Sequence, residues 1–308
     1  MKIVFLKTAL VAMCALALAW AGDSNRYRED FHYSYPQGAG GRLTLENFNG
    51  SVEIAGWDQN TVDISGTKYA ESQQLLSVIR IEVANSGNAV RVRTTRQDPQ
   101  HGNSGAKYVI RVPRKTELED VHSSNGSLRV EDIEGNMHLA TSNGSVHLAR
   151  IRGDVDARSS NGSAEVQDVK GNVNFRTSNG GVHGENVEGS FDAQTSNGGI
   201  RVHLRDPEAG RPIRLATSNG GIDLQVDAPR QNDVVASTSN GPITVRLPSG
   251  VSGSVHASTN SNGSVRSDFD ILIHGGEISR HRMDGAIGGG GARIDLSTSN
   301  GNISLLRI

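Results

Sequence analysis

The sequence predicts an all-β chain wound as a parallel β-solenoid, a flattened β-helix of about 18–22 residues per coil. Three observations carry that prediction. First, Ser-Asn-Gly recurs with its asparagine at Asn125, Asn143, Asn161, Asn179, Asn197, Asn219, Asn240, Asn262 and Asn300. The first four intervals are all 18 residues and the later ones are 22, 21, 22 and 38. Second, a further turn falls nine residues after the asparagine, at Glu134-Gly135, Arg152-Gly153, Lys170-Gly171 and Glu188-Gly189. Each unit is therefore two short strands and two turns. Third, aliphatic residues keep one phase, as at Val146 and Leu148, Ile200 and Val202, and Ile243 and Val245 after the asparagine, or Phe175 and Val173 before it. Strict alternation of this kind marks strands with one buried face.

Asn-Gly also begins two-residue hairpins, which makes a long antiparallel meander the competing architecture. Two points weigh against it. Around the second turn the apolar positions stand 8 and 12 residues after the asparagine, as at Ile151 and Val155, which a two-residue hairpin would not pair. A single long sheet would also leave its whole apolar face in water. Coiling buries both inner faces and stacks equal positions about 4.8 Å apart, so that asparagine, Ser/Thr and aliphatic ladders form. In this reading the corner glycines Gly126, Gly144, Gly162, Gly180, Gly198, Gly220, Gly241, Gly263 and Gly301 supply a positive φ, and the asparagine amides bond from coil to coil. The inserted segments "RDPEAGRP", "DAPRQND" and "PSGVSG" all lengthen the second turn and spare the corner.

Ahead of the repeats, the chain begins with Lys2 and Lys7, an apolar run, and Ala19-Trp20-Ala21. This is the pattern of a secretory signal peptide over residues 1–21, cleaved between Ala21 and Gly22. Cys14, the single cysteine, falls inside it behind Met13, a poor fit to a lipidation site, which leaves the mature chain without cysteine. Residues 22–41 read as an N-terminal extension and 42–121 as an irregular β region capping the solenoid, with "ESQQLLSV" as one or two helical turns. Residues 122–308 read as the repeats, with an insertion at 268–292.

An exported chain without disulfides depends on repetition, burial and hydrogen bonding. Removing Lys2 and Lys7 leaves 29 basic against 33 acidic residues, so no basic field exists to attract nucleic acid. No apolar stretch after residue 21 is long enough for a transmembrane helix.

The segment Asn49 to Trp57, the strand "YVIRVPR", the serial Ser-Asn-Gly turns and the closing "IGGGGARIDLSTSNGNISL" together resemble the bacterial putative adhesin family, a β-strand-repeat domain of unknown function. The resemblance covers about residues 40 to 308. It implies a β-solenoid at the cell envelope and supplies no catalytic residues.

A calcium-binding β-roll needs Gly-Gly-Xaa-Gly-Xaa-Asp turns, and these corners lack the aspartate. His138, His147, His183 and His203 fall at wet positions, and one column would read Arg129, His147, Glu165, His183, Arg201, Asp223, a pattern suited to pairing of opposite charges. The 268–292 insertion gathers Asp268, Asp270, His274, Glu277, His281 and Asp284, the residue types of an acid/base site. There is no nucleophile elbow, zinc-protease helix or phosphate loop. The expectation is a non-enzymatic structural or interaction module in the periplasm or at the cell surface, with no metal and no cofactor. The alternative is a carbohydrate-binding or carbohydrate-cleaving β-helix. Its partner would be an envelope protein or a polysaccharide, met at the 268–292 loop, with self-association through an uncapped last strand, Asn302 to Ile308.

Overall fold

The computed structural model describes residues 27–97, 102–260, 262–273 and 279–308. The leader and its Ala21–Gly22 junction lie outside them. The described chain forms a 13-stranded and a 14-stranded sheet, with one helix, Gln73–Ser77, in which Ser72 Oγ accepts from the Leu75 N–H. Strands alternate between the sheets at each corner, as a flattened solenoid requires. We name each coil, or rung, by its corner asparagine.

Equal positions stack in parallel register. Val146, His147 and Leu148 pair with Ala164, Glu165 and Val166, which pair in turn with Val182, His183 and Gly184. A meander would instead have set these positions two strands apart, with an antiparallel strand between them. Between the sheets the inward residues of successive rungs form one continuous core that includes Leu43, Val52, Leu148, Phe175, Phe191, Leu224 and Leu296. Each such side chain, fully withdrawn from water, contributes about 1.5–3 kcal/mol. The core is thin because it is one side chain deep from each sheet, which is why so few aromatics suffice.

Rung order departs from chain order at both ends. The strands of the Asn300 rung, Ala292–Asn300 and Ile303–Arg307, lie between those of the Asn240 rung (Val234–Asn240, Ile243–Leu247) and those of the Asn262 rung (Gly253–Ser258, Val265–Ser267). The last strand is therefore paired on both sides, not an open edge. The sequence placed it outermost because it comes last in the chain. A matching arrangement holds at the other end. There the Asn49 rung (Gly41–Asn49, Val52–Trp57) sits between the Asn125 rung (Thr116–Asn125, Leu128–Glu131) and the strands Ala89–Arg96 and Ser104–Pro113.

Antiparallel strands finish each end. Thr61–Ala70 pairs with Ser104–Pro113, Tyr27–Pro36 pairs with Thr61–Ala70, and Ile79–Ser86 pairs with Ala89–Arg96. At the opposite end Arg282–Ile287 covers Gly253–Ser258 and carries Ile271–Leu272 on its far side. The 268–292 insertion thus contributes cap strands.

Candidate functional site

The corner edge organises both faces that flank it. Asn143 Nδ2 donates to Asn125 Oδ1 at 2.7 Å, and the same bond runs from Asn161 to Asn143, Asn179 to Asn161, Asn197 to Asn179, Asn219 to Asn197, Asn240 to Asn219 and Asn300 to Asn240 at 2.8–2.9 Å. Asn262 stands off this ladder. Thr259 pairs with the rung below as Thr298 does in its own, and Gly263 stacks on Gly301, which leaves one extra residue in that corner.

Positive φ is not what most corners need from glycine. Of the corner glycines only Gly50 and Gly241 have it. What excludes a side chain is approach: a Cβ on Gly180 would lie 2.2 Å from the Gly162 carbonyl oxygen, and a Cβ on Gly144 2.1 Å from that of Gly126. That carbonyl is also an acceptor. Thr141 Oγ1 donates to Gly126 O at 2.9 Å, Thr177 to Gly162 O at 3.0 Å and Thr195 to Gly180 O at 2.8 Å, so the buried hydroxyls of the Ser/Thr column satisfy the corner backbone.

Left-handed backbone falls instead at the second turn, on Asp132, Arg150, Asp168 and Asn186, each seven residues past its asparagine. Asp and Asn tolerate that region and arginine does so at a cost of about 1 kcal/mol. The Arg150 guanidinium binds both carboxylate oxygens of Asp132 at 2.9 Å and Glu131 Oε2 at 2.7 Å, which offsets it. A second polar ladder, missed in the sequence, runs beside this turn: Asn136 Oδ1 accepts from Asp154 N, Asp154 Oδ1 from Asn172 N, and Asn172 Oδ1 from Ser190 N.

Small residues beside the corner leave a trough on each side of the asparagine edge. One, of about 650 Å³, is lined by Glu165, His183, Gly199, Arg201 and Asp223 among others. The other, of about 630 Å³, follows the Ser/Thr side of the corner and includes Arg158, Arg176 and Gln194. Both are open and run along the stack across several rungs.

The remaining candidates are dispersed. In the first trough His147 Nδ1 meets Glu165 Oε2 at 3.0 Å, and the charged column is in register as Arg129, His147, Glu165, His183, Arg201 and Asp223. His138 stands on the other sheet, 3.7 Å from Asp156. His203 is held from both sides, by Glu185 at 2.8 Å on Nδ1 and Asp227 at 2.7 Å on Nε2. Partial burial lowers its pKa, but the two carboxylates outweigh burial and the net shift is upward. Both ring nitrogens of His203 thus face carboxylate oxygens, an arrangement that suits the protonated ring. In the insertion, Asp284 pairs with His256 and Arg282, His281 Nδ1 meets Gly263 O at 2.9 Å, and the Asp268 carbonyl accepts from Arg307. Asp270 is exposed and stands apart from them, and His274 and Glu277 lie outside the described residues. The described residues of this set do not converge on one site. Among the described residues no group of three or more His, Cys, Asp or Glu is arranged to hold a metal ion, and no helix is long and apolar enough to cross a membrane.

The class defined by this geometry is a parallel β-solenoid repeat protein with antiparallel end caps. Within that class the chain belongs to the Toastrack DUF4097 family, whose model matches residues 42–306. No curated protein matches the chain. Similar solved structures include a putative cell adhesion protein from Clostridium sporogenes, at 10% identity, covering 92% of this chain and 100% of that one with a TM-score of 0.24. Two putative adhesins are also similar. That from Bacteroides fragilis is 11% identical, covers 91% and 97% of the two chains and has a TM-score of 0.36. That from Parabacteroides distasonis is 9% identical, covers 90% and 97%, and has a TM-score of 0.33.

Proposed function

We propose that the chain is an exported, non-enzymatic, adhesin-like interaction module of the bacterial cell envelope. The observation that carries this reading is the pair of open troughs flanking a rigid, hydrogen-bonded asparagine edge, with Glu185, Asp227 and Asp284 spent on pairing His203 and His256. A surface that repeats at every rung suits an extended partner more than a single small substrate. The leader pattern ending at Ala21 supports export to the periplasm or the cell surface. The adhesin names carried by the similar structures agree with this reading.

The expected partner is an envelope protein or polysaccharide, and the contact surface is the trough-bearing edge, not a free last strand. The test is fractionation of cells producing the full chain, with intact-mass measurement, followed by binding of the recovered protein to purified envelope polysaccharide and outer-surface proteins. The expected result is a chain beginning at Gly22 in the envelope or medium that binds without altering its partner. A full-length cytoplasmic chain, or cleavage of the polysaccharide, overturns the reading.

A further inference from the structure

The column three residues before each corner asparagine contains Arg158 and Arg176, which are direct partners on adjacent rungs. Their backbones are about 4.8 Å apart. Like charges directly opposite destabilise a sheet. The column on the other sheet sets Glu165 between His147 and His183, so the stacked arginines stand out. They are only weakly compensated. Arg158 reaches Asp156 at 3.5 Å, while the half-buried side chain of Arg176 makes no hydrogen bond or ion pair among the described residues. A carboxylate stands nearby on Asp192, one rung along, yet its buried Oδ1 has no partner either.

Both guanidinium groups line the trough of about 630 Å³, with Gln194 continuing their column. Ser160, Ser178 and Ser196 line the same trough, one per rung, and their hydroxyls have no protein partner among the described residues. The trough thus combines an unpaired guanidinium on Arg176 and a weakly paired one on Arg158 with a ladder of free hydroxyls. Its lining contains no aromatic side chain and its strands are paired on both sides, so neither ring stacking nor strand addition is on offer. What this lining recognises is a polymer with carboxylates for the guanidinium forks and hydroxyls for the serine ladder.

We propose that the Arg158–Arg176 trough binds an acidic polysaccharide laid along the solenoid axis, its carboxylates neutralising the stacked arginines. This rests on the interaction-module reading and narrows it to one partner class and one face.

The test is calorimetric titration of the full chain with an oligogalacturonate, a neutral glucan of equal length and free sulfate, at low and high salt. The acidic oligomer should bind, high salt should weaken it, and Arg176→Gln should weaken it roughly tenfold, with Arg158→Gln/Arg176→Gln weaker still. Arg211→Gln, which removes an equal charge from an exposed loop, should leave binding unchanged. The proposal is overturned if Arg176→Gln binds like the parent, if the neutral glucan binds as tightly, or if sulfate alone matches the oligomer. It is also overturned if Arg176→Gln and Asp192→Asn each lower the melting temperature and the double variant lowers it no further, the signature of an internal ion pair. Envelope polysaccharide that the parent binds and the double arginine variant binds equally well would remove this inference alone. A parent that binds no envelope partner would remove the broader reading.

Discussion

The rungs from Asn125 to Asn240 and the two ends of the stack use the same strand geometry, but they solve different problems. In the middle, each rung lies on the next in chain order, and the corner asparagine, the corner glycine and the buried hydroxyl recur without a break. At the ends, chain order and rung order separate, antiparallel strands take over, and the Asn262 corner gains a residue. A repeat is good at being extended and has no means of stopping. The ends teach that stopping requires breaking the rule that builds the middle.

If that contrast is right, the same substitution should cost more inside the stack than at its end. Gly180→Ala places a methyl 2.2 Å from a backbone carbonyl with rungs fixed on both sides, and we expect a loss of about 3 kcal/mol. Gly263→Ala meets Gly301 O at 2.0 Å, but the strand that follows it, Val265–Ser267, is the edge of the 13-stranded sheet with a rung on one side only, which limits the loss to about 1 kcal/mol. Urea unfolding midpoints compare the two. Equal losses would mean that the end rung is as rigidly held as the interior.

A smaller difference is expected in the amide ladder. Asn179→Ala removes a bond donated to Asn161 and one accepted from Asn197, both 2.8 Å, for a loss of about 1–2 kcal/mol. Asn262→Ala touches no ladder bond and should change stability by less than about 0.5 kcal/mol. Hydrogen exchange at the flanking corner amides would check this, with protection lost around residue 179 and kept around 262.

The smallest expected effect is a divergence in pH response. His203, in the stack, has a raised pKa, so its contribution is complete below its unfolded value of about 6.5 and is lost as pH rises through the higher folded value. Asp284, in the end cap, is held below its usual range, first by the Arg282 hydrogen bond and then by His256, against the opposing effect of burial. Its contribution is present above pH 3.8 and is lost as pH falls through the lower folded value. Melting temperatures of His203→Gln and Asp284→Asn against the parent should therefore converge with it at opposite ends of the pH range. Convergence at the same end would contradict the pairing described.

The middle of the molecule was legible in its sequence because a stack imposes one requirement per position and repeats it. Asn143, Asn161 and Asn179 must be alike if each is to bond the next, and Val146, Ala164 and Val182 must all be apolar to share a core. The ends were not legible. The spacing of 38 residues between Asn262 and Asn300 reports an insertion and says nothing of which rung lies between which. The reason for the corner glycines was misread because a glycine held by close approach and one held by positive φ look the same in a string of letters. The left-handed second turn was hidden where Arg150 occupies a place that Asp132, Asp168 and Asn186 announce more plainly. The troughs were invisible for a related reason. They arise from what is small beside the corner, and the stacked arginines 158 and 176 appear as neighbours only once the 18-residue register is laid out in space.

The displaced Asn300 rung has a consequence for the order in which the molecule can be completed. During synthesis, residues 253–267 emerge before residues 292–308 and meet the open top of the Asn240 rung first. Docking there would be premature, because the longer corner around Asn262 cannot offer its amide to Asn240 in the way Asn300 does at 2.9 Å. The four glycines 288–291, three of them with positive φ, let the later segment turn back beneath the earlier one. Arrival time favours one rung and corner fit favours the other, and the finished stack holds the later-made rung between two earlier ones.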